Sequence, residues 1–148
     1  PEAVEAYLRG RQRLARFDLM GPNGAYALFS NALALAPDFK PAISGRALAA
    51  IRAWFTPASL HGDEDWEDLA TRFVADALER APELAETHLA AAMFYMQGHG
   101  VDRAVGHLRS ALQIAPTFAF AQQYLGAILL ETGPIEDAVW HLKTALKL

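Results

Sequence analysis

Histidines are the residues of this chain best suited to chemistry, because imidazoles ligate metals and exchange protons near neutral pH. The chain contains five. His107 and His141 occupy the same place in two matching segments, so a repeated structural position explains them better than metal ligation does. His61, His88 and His99 have no ligand-type partner nearby in sequence, no pair has the H-E-x-x-H spacing, and cysteine is absent. We therefore expect no metal site and no cofactor.

Other catalytic patterns are also missing from the sequence. The acidic run at 63–68 lacks the alternating ligands and central glycine of a calcium loop. The glycine-containing segments 21–24 and 98–100 lack the Lys and Ser/Thr of a phosphate-binding loop, and both suit turns between helices. No serine lies in a nucleophile elbow. We predict that the chain is not an enzyme and takes no small-molecule substrate.

Charge and hydropathy limit the kinds of partner and the cellular compartment that we expect for this chain. A formal net charge of −4 gives no general attraction to nucleic acid or anionic lipid. No apolar run approaches the roughly 20 residues that span a bilayer, and the first residues lack the pattern of a signal peptide. We expect a cytoplasmic protein without membrane insertion. The start at Pro1 and the end inside a helical pattern favour a segment of a longer protein.

An internal repeat determines the fold prediction. The segment AVGHLRSAL at 104–112 matches AVWHLKTAL at 138–146, which gives a period of about 34 residues. Three helical patterns end in the same way, at Pro37, Pro82 and Pro116, because proline cannot continue the helix and disfavours helical geometry in the residue before it. Abundant Ala and Leu with few β-branched residues favour helix, so the fold class is all-α.

These residues resemble the tetratricopeptide-repeat family, in which each repeat is a helix A, a tight turn and a helix B. The resemblance implies a single domain over 1–148, an α-solenoid of about four repeats in a right-handed superhelix. The repeats fall at about 3–39, 40–84, 85–118 and 119–148. The positions that match the family pattern are Leu8, Gly10, Ala25, Phe29, Ala32, Ala47, Ala70, Val74, Ala77, Ala92, Tyr95, Ala104, Leu108, Ala111, Gly126, Leu129, Ala138, Leu142 and Ala145.

The second repeat is longer than the third, because Pro37 and Pro82 lie further apart in sequence than Pro82 and Pro116. An insertion at 56–66 accounts for the excess. It can form a lid or a second contact surface, since unusual loops on a rigid scaffold often carry recognition. The alternative that we favour is structural: Trp54 and Phe55 extend helix A, and the acidic run caps helix B.

In this family the A helices line a concave groove that binds a peptide or helix of a partner protein. The resemblance implies a protein-binding scaffold with an apolar and aromatic groove, to which arginine adds an acidic contact. The candidate partner-binding residues are Tyr7, Arg11, Arg52, Leu89, Met93, Met96, Gln97, Phe120, Gln123 and Tyr124. The alternative is that some of the apolar side chains on the A helices pack in the core. For Leu48, Ile51 and Leu89, the core and the groove are equally good predictions.

Two further functions stay open at the sequence level. The last helical pattern has an uncapped apolar surface, which predicts a homo-oligomer or a purely structural module. The opening residues resemble repeat segments of bacterial multidomain signalling proteins, where such a module would serve. Arg9, Arg13 and Arg16 share a helical stripe that suits an acidic partner or nucleic acid, although we rank nucleic-acid binding lowest.

Overall fold

A computed structural model describes residues 1–60 and 62–148, and His61 lies outside the described residues. Within them the chain forms eight α-helices and no strand. The helices are α1 (Glu2–Ala15), α2 (Ala25–Leu35), α3 (Lys40–Phe55), α4 (Trp66–Arg80), α5 (Ala85–Gln97), α6 (Val101–Ile114), α7 (Ala119–Thr132) and α8 (Ile135–Leu146). The all-α class predicted from the repeat is confirmed.

Proline ends three of these helices by one repeated geometry. The residues before the prolines, Ala36, Ala81 and Ala115, have φ values of −139°, −137° and −135°. Each donates its N–H to the carbonyl four residues earlier, at 2.8 Å. The chain then leaves the helix because the next residue has no N–H to donate.

The chain divides into two compact units, Pro1–Pro82 and Glu83–Leu148. In the first, α1 pairs with α2 and α3 pairs with α4, and α3 also packs against α2. In the second, α5 pairs with α6 and α7 pairs with α8, and α7 also packs against α6. Each unit therefore consists of two helical hairpins, which agrees with two repeats per unit.

Small residues meet one large residue inside the first unit. The ring of Phe29 on α2 has no exposed surface and lies between Gly10 of α1 and Gly45 of α3. A Cβ atom added at either glycine would lie 2.8 Å from a ring carbon of Phe29. Glycine is needed at both positions because any side chain there would overlap the ring.

The corresponding packing in the second unit uses alanine and leucine. Ala92 of α5 and Ala104, Leu108 and Ala111 of α6 are fully buried, as the repeat pattern predicts. In the next hairpin, Gly126 of α7 would place a Cβ 2.7 Å from Leu142 of α8. The small–large alternation thus lets paired helices approach closely in both units.

The insertion lies where the sequence predicts it, between α3 and α4. Helix α3 continues through Trp54 to Phe55, a short 3-10 helix covers Ala58–Leu60, and α4 begins at Trp66. The Asp65 carboxylate accepts a hydrogen bond from the N–H of Asp68 at 3.1 Å, so it caps α4. Both ends of the segment thus have structural roles, and a recognition role for it stays a prediction.

Candidate partner-binding surface

The predicted groove residues of α7 lie on its exposed face. Phe120 is 45 % exposed, Gln123 is exposed and Tyr124 is half-buried. The opposite face of the helix is buried, with Ala121 and Leu125 fully enclosed. Helix α7 thus presents an aromatic and amide surface of the kind that the sequence predicts for binding.

Only some of the predicted partner-binding residues of α5 are accessible. Leu89 has no exposed surface and Met93 is 3 % exposed, so both belong to the core. The core alternative is thus the right one for Leu89, and the same holds for Met93. Residues 89 to 93 are all buried, although five consecutive residues cover more than one turn of the helix. Met96 and Gln97, one turn later, are half-buried and keep accessible surface.

In the first unit, the two candidates on α1 differ in their environment. Tyr7 is half-buried and packs against Phe39, with ring centroids 5.3 Å apart, and against Phe29 at 5.9 Å. Arg11 is exposed. Tyr7 therefore has a structural role beside any contact with a partner.

The candidate on α3 is covered by a loop that the sequence does not position. Arg52 is 7 % exposed, and its guanidinium lies 5.2 Å from the ring centroid of Phe17 in the α1–α2 connection. Phe17 adopts a φ of +55°, which turns the chain directly after α1. Leu48 and Ile51 on the same helix are also buried. Arg52 is thus a covered residue and not an open groove cation.

Two histidines that are remote in sequence form a pair in the second unit. Nδ1 of His88 on α5 is 3.0 Å from Nδ1 of His107 on α6, and the His107 ring stacks on Tyr95. Burial, and then the nearby His88, lower the pKa of His107. Sequence spacing misses this pair because its members lie on different helices.

The α7–α8 hairpin has a contact at the equivalent positions, in which glutamine replaces one of the two histidines. His141 Nδ1 on α8 lies 2.5 Å from Oε1 of Gln122 on α7. Gln122 and His141 each follow their counterparts, His88 and His107, by one repeat period. The repeat period could have revealed the link from sequence, because it relates His88 to Gln122 and His107 to His141. Among the described residues, no cluster of three or more metal-ligating side chains occurs.

Solved structures with this arrangement of helices span nearly the whole chain. TTC0263, a thermophilic TPR protein from Thermus thermophilus, matches with a TM-score of 0.76 at 19 % identity, over 98 % of this chain and 73 % of its own. The chain has the tetratricopeptide-repeat (TPR) fold. MamA matches at 0.63 and 19 % identity over 98 % and 77 % of the two chains, and MamA 41-end from Desulfovibrio magneticus RS-1 at 0.61 and 15 % over 99 % and 75 %.

No protein-family profile matches the sequence, and neither does any curated protein. The TPR fold identifies α1, α3, α5 and α7 as A helices and their partners α2, α4, α6 and α8 as B helices. Within the described ranges, no helix is long and apolar enough to cross a lipid bilayer. The cytoplasmic location and the signalling parent stay predictions.

The last B helix of this TPR array has an exposed apolar stripe. Leu146 is 87 % exposed, whereas its counterpart Leu112 is half-buried on α6, a helix that packs against the following hairpin through α7. Ile135 and Val139 are exposed on the same side of α8. At about 100° per residue, these three side chains fall within roughly 40° of one another.

The arginine stripe on α1 is partly neutralised. Arg13 Nη1 lies 2.6 Å from Oδ2 of Asp18, in the connection that follows the helix. Arg9 and Arg16 are exposed. The ion pair at Arg13 weakens the case for a phosphate-binding surface, because one of three charges already has a carboxylate partner.

Proposed function

We propose that this chain is a protein-binding scaffold that takes no part in catalysis, and that it holds a peptide or helix of a partner on the exposed face of its A helices. The observation that carries the proposal is the open face of α7, with Phe120, Gln123 and Tyr124 on a TPR scaffold. Exposed aromatic side chains bury a large area on binding while they lose little conformational entropy.

The partner that this face suits is an amphipathic helix or an extended apolar segment. Phe120 and Tyr124, one turn apart on α7, supply adjacent aromatic contacts, while Gln123 supplies a hydrogen-bonding amide between them. Met96 on α5 would add an adaptable apolar contact. Leu89, Met93 and Arg52 would act only by supporting the helices that carry the face, since they are buried.

Affinity capture from an extract of the source organism tests this face. We would compare the intact chain with Phe120→Glu/Tyr124→Ala, and with Ile114→Glu as the matched control. Ile114 is also 45 % exposed but lies on a B helix. We expect a protein that the intact chain and the control retain and the double variant loses. Equal recovery by all three would reject the face, provided that thermal unfolding shows all three folded.

The stripe on α8 supports a second candidate, self-association. An antiparallel pair of α8 helices would bury Ile135, Val139 and Leu146 against the same residues of a second copy. On the flank of the stripe, Glu136 lies in the first turn and Lys143 and Lys147 near the end. Antiparallel pairing brings Glu136 of one copy near the lysines of the other, whereas parallel pairing does not bring these charges together.

Charge reversal tests that arrangement. In analytical ultracentrifugation at low salt, we expect the intact chain to form a dimer that Leu146→Glu abolishes and Glu136→Lys weakens. The triple variant Glu136→Lys/Lys143→Glu/Lys147→Glu should restore the dimer, because the charges are exchanged but remain complementary. A monomeric mass at every concentration would exclude self-association and leave the α7 face untouched.

A further inference from the structure

A cavity in the second unit lies outside the groove that the sequence predicts. It is shallow and open, with a volume of about 360 Å³, and it lies where α6, α7 and α8 meet. None of the candidate partner-binding residues lines it. Its walls combine apolar residues with a cation, two amides and an imidazole: Arg109, Leu112, Gln113, Pro116, Gln122, Leu125, Trp140 and His141.

The apolar part of the cavity has a buried floor and an exposed rim. Leu125 is fully buried at the base, and Leu112 is half-buried beside it. Trp140 is 59 % exposed at the rim, with its ring edge-to-face against His141 at 4.8 Å between centroids. Trp and Arg dominate the energetics of many interfaces, because each combines a large contact area with polar anchoring.

The polar part of the cavity has positive charge without a counter-ion. Arg109 is exposed, and no ion pair or hydrogen bond joins its guanidinium to another residue of the described ranges. His141 is close enough for the charge of Arg109 to act on it: burial, and then Arg109, lower the pKa of His141, while Asp137 opposes them. An anion bound between Arg109 and His141 would relieve that repulsion.

Gln122 fixes the imidazole for such a role. Its Oε1 is a carbonyl oxygen and can only accept, so Nδ1 of His141 donates the 2.5 Å hydrogen bond. Gln122 is itself held by a 3.4 Å bond from Nε2 to the carbonyl of Pro116. In the neutral ring Nε2 is therefore an acceptor, and it donates to a carboxylate only when the imidazole is protonated.

We propose that this cavity binds a peptide segment in which an Asp or Glu stands beside a leucine or aromatic residue. The carboxylate would pair with the Arg109 guanidinium, next to His141, and the apolar side chain would lie between Trp140 and Leu112. A peptide fits better than a small free acid, because the cavity is open and a small ligand would stay largely exposed. The site is separate from the α7 face, so each can fail alone.

A random twelve-residue peptide display library tests the proposal without a named partner. We expect selected peptides to be enriched in Asp or Glu adjacent to Leu, Phe or Trp. A selected peptide should bind at least tenfold more weakly to Arg109→Gln and to Trp140→Ala. Arg103→Gln, which removes one exposed positive charge of α6 outside the cavity, should bind as the intact chain does. Replacing the peptide carboxylate by its amide should weaken binding at least tenfold.

An NMR titration of His141 gives a second readout, since a bound carboxylate should raise its pKa relative to the free protein. The proposal would be overturned if no peptide were selected, or if the selected peptides showed no enrichment in Asp or Glu beside Leu, Phe or Trp. Equal binding of a selected peptide by Arg109→Gln and the intact chain would also overturn it. Peptides that bind Arg109→Gln but not Tyr124→Ala would assign binding to the α7 face and exclude the cavity. Folding of each variant is checked by its thermal unfolding.

Discussion

At the scale of single residues, the packing of the first unit depends on one ring and two glycines. Phe29 fills the space that Gly10 and Gly45 leave open on its two sides. The equivalent positions of the third repeat hold Ala92 and Leu108, both fully buried. Alanine there is larger than glycine, and leucine is smaller than phenylalanine. The two solutions conserve volume within each hairpin, which is what close packing requires.

The substitution Gly10→Ala should destabilise the protein by about 1–3 kcal/mol, because the new methyl group would overlap the Phe29 ring. Gly106→Ala is the matched control: beyond the local backbone of α6, no atom lies within 4 Å of its added Cβ, and the change should stabilise α6 by about 0.5–1 kcal/mol. Urea unfolding followed by circular dichroism measures both. Equal effects of the two changes would contradict the assigned packing.

The His88–His107 pair should make stability depend on pH. The pKa of folded His107 lies below its ordinary value of 6.5, so the unfolded chain binds the proton more tightly. Its contribution is complete above pH 6.5 and is lost as the pH falls through the range below that value. We expect His107→Gln to reduce the loss of stability between pH 7.5 and pH 5.0. The exposed His99→Gln should leave that loss unchanged in urea unfolding at the two pH values.

Residue roles were predictable where the repeat pattern dictates them. Ala104, Leu108 and Ala111 are core residues because the same small–large spacing recurs in the next repeat. The contact of Arg52 with Phe17 was not predictable, because Phe17 belongs to another hairpin and has a left-handed backbone conformation. Helical spacing on one element carries no information about what covers it.

At the scale of helices, the N-terminal cap of α4 should be measurable by itself. Asp65→Ala removes the acceptor for the Asp68 N–H and should destabilise the protein by about 1 kcal/mol. Asp63→Ala removes an exposed carboxylate two residues earlier and should change stability by less than about 0.5 kcal/mol. Thermal unfolding of the two variants at one ionic strength separates the cap from the loss of charge. A similar loss in both would assign the effect to charge alone.

Helix ends were more predictable than the connections between helices. The prolines at 37, 82 and 116 mark three C-termini, and the acidic run marks the start of α4. The α1–α2 connection follows no repeated pattern, so its path over α3 had no precedent elsewhere in the sequence. A repeat predicts what recurs, and a connection of unique length does not recur.

At the scale of the whole molecule, repeat stability should behave as a sum over separate contacts. Gly10→Ala in the first unit and Gly106→Ala in the second share no partner, so their effects should add within about 0.5 kcal/mol. Gly10→Ala combined with Phe29→Leu should cost less than the sum of the two, because the smaller side chain leaves room for the methyl group. Double-mutant cycles from urea unfolding test both statements, and coupling of the first pair would contradict separate contacts.

The fold was predictable because small and large side chains recur at the repeat period along the sequence. The solved TPR structures agree with that prediction. Of the predicted partner-binding residues, those of α7 lie on an exposed face, and binding there stays a prediction. The cavity beside Arg109 was not predictable, because its walls come from three helices and only a structure brings them together.

The placement of the tryptophans gives the molecule a built-in optical reporter. Trp54 and Trp66 lie in the first unit, and Trp66 is buried against Tyr26, whereas Trp140 in the second unit is exposed to water. Unfolding of the first unit should therefore shift fluorescence emission to longer wavelengths. Unfolding of the second should leave the emission maximum almost unchanged while helical ellipticity falls. Comparing the two signals in one melt would reveal which half of the chain loses its structure first.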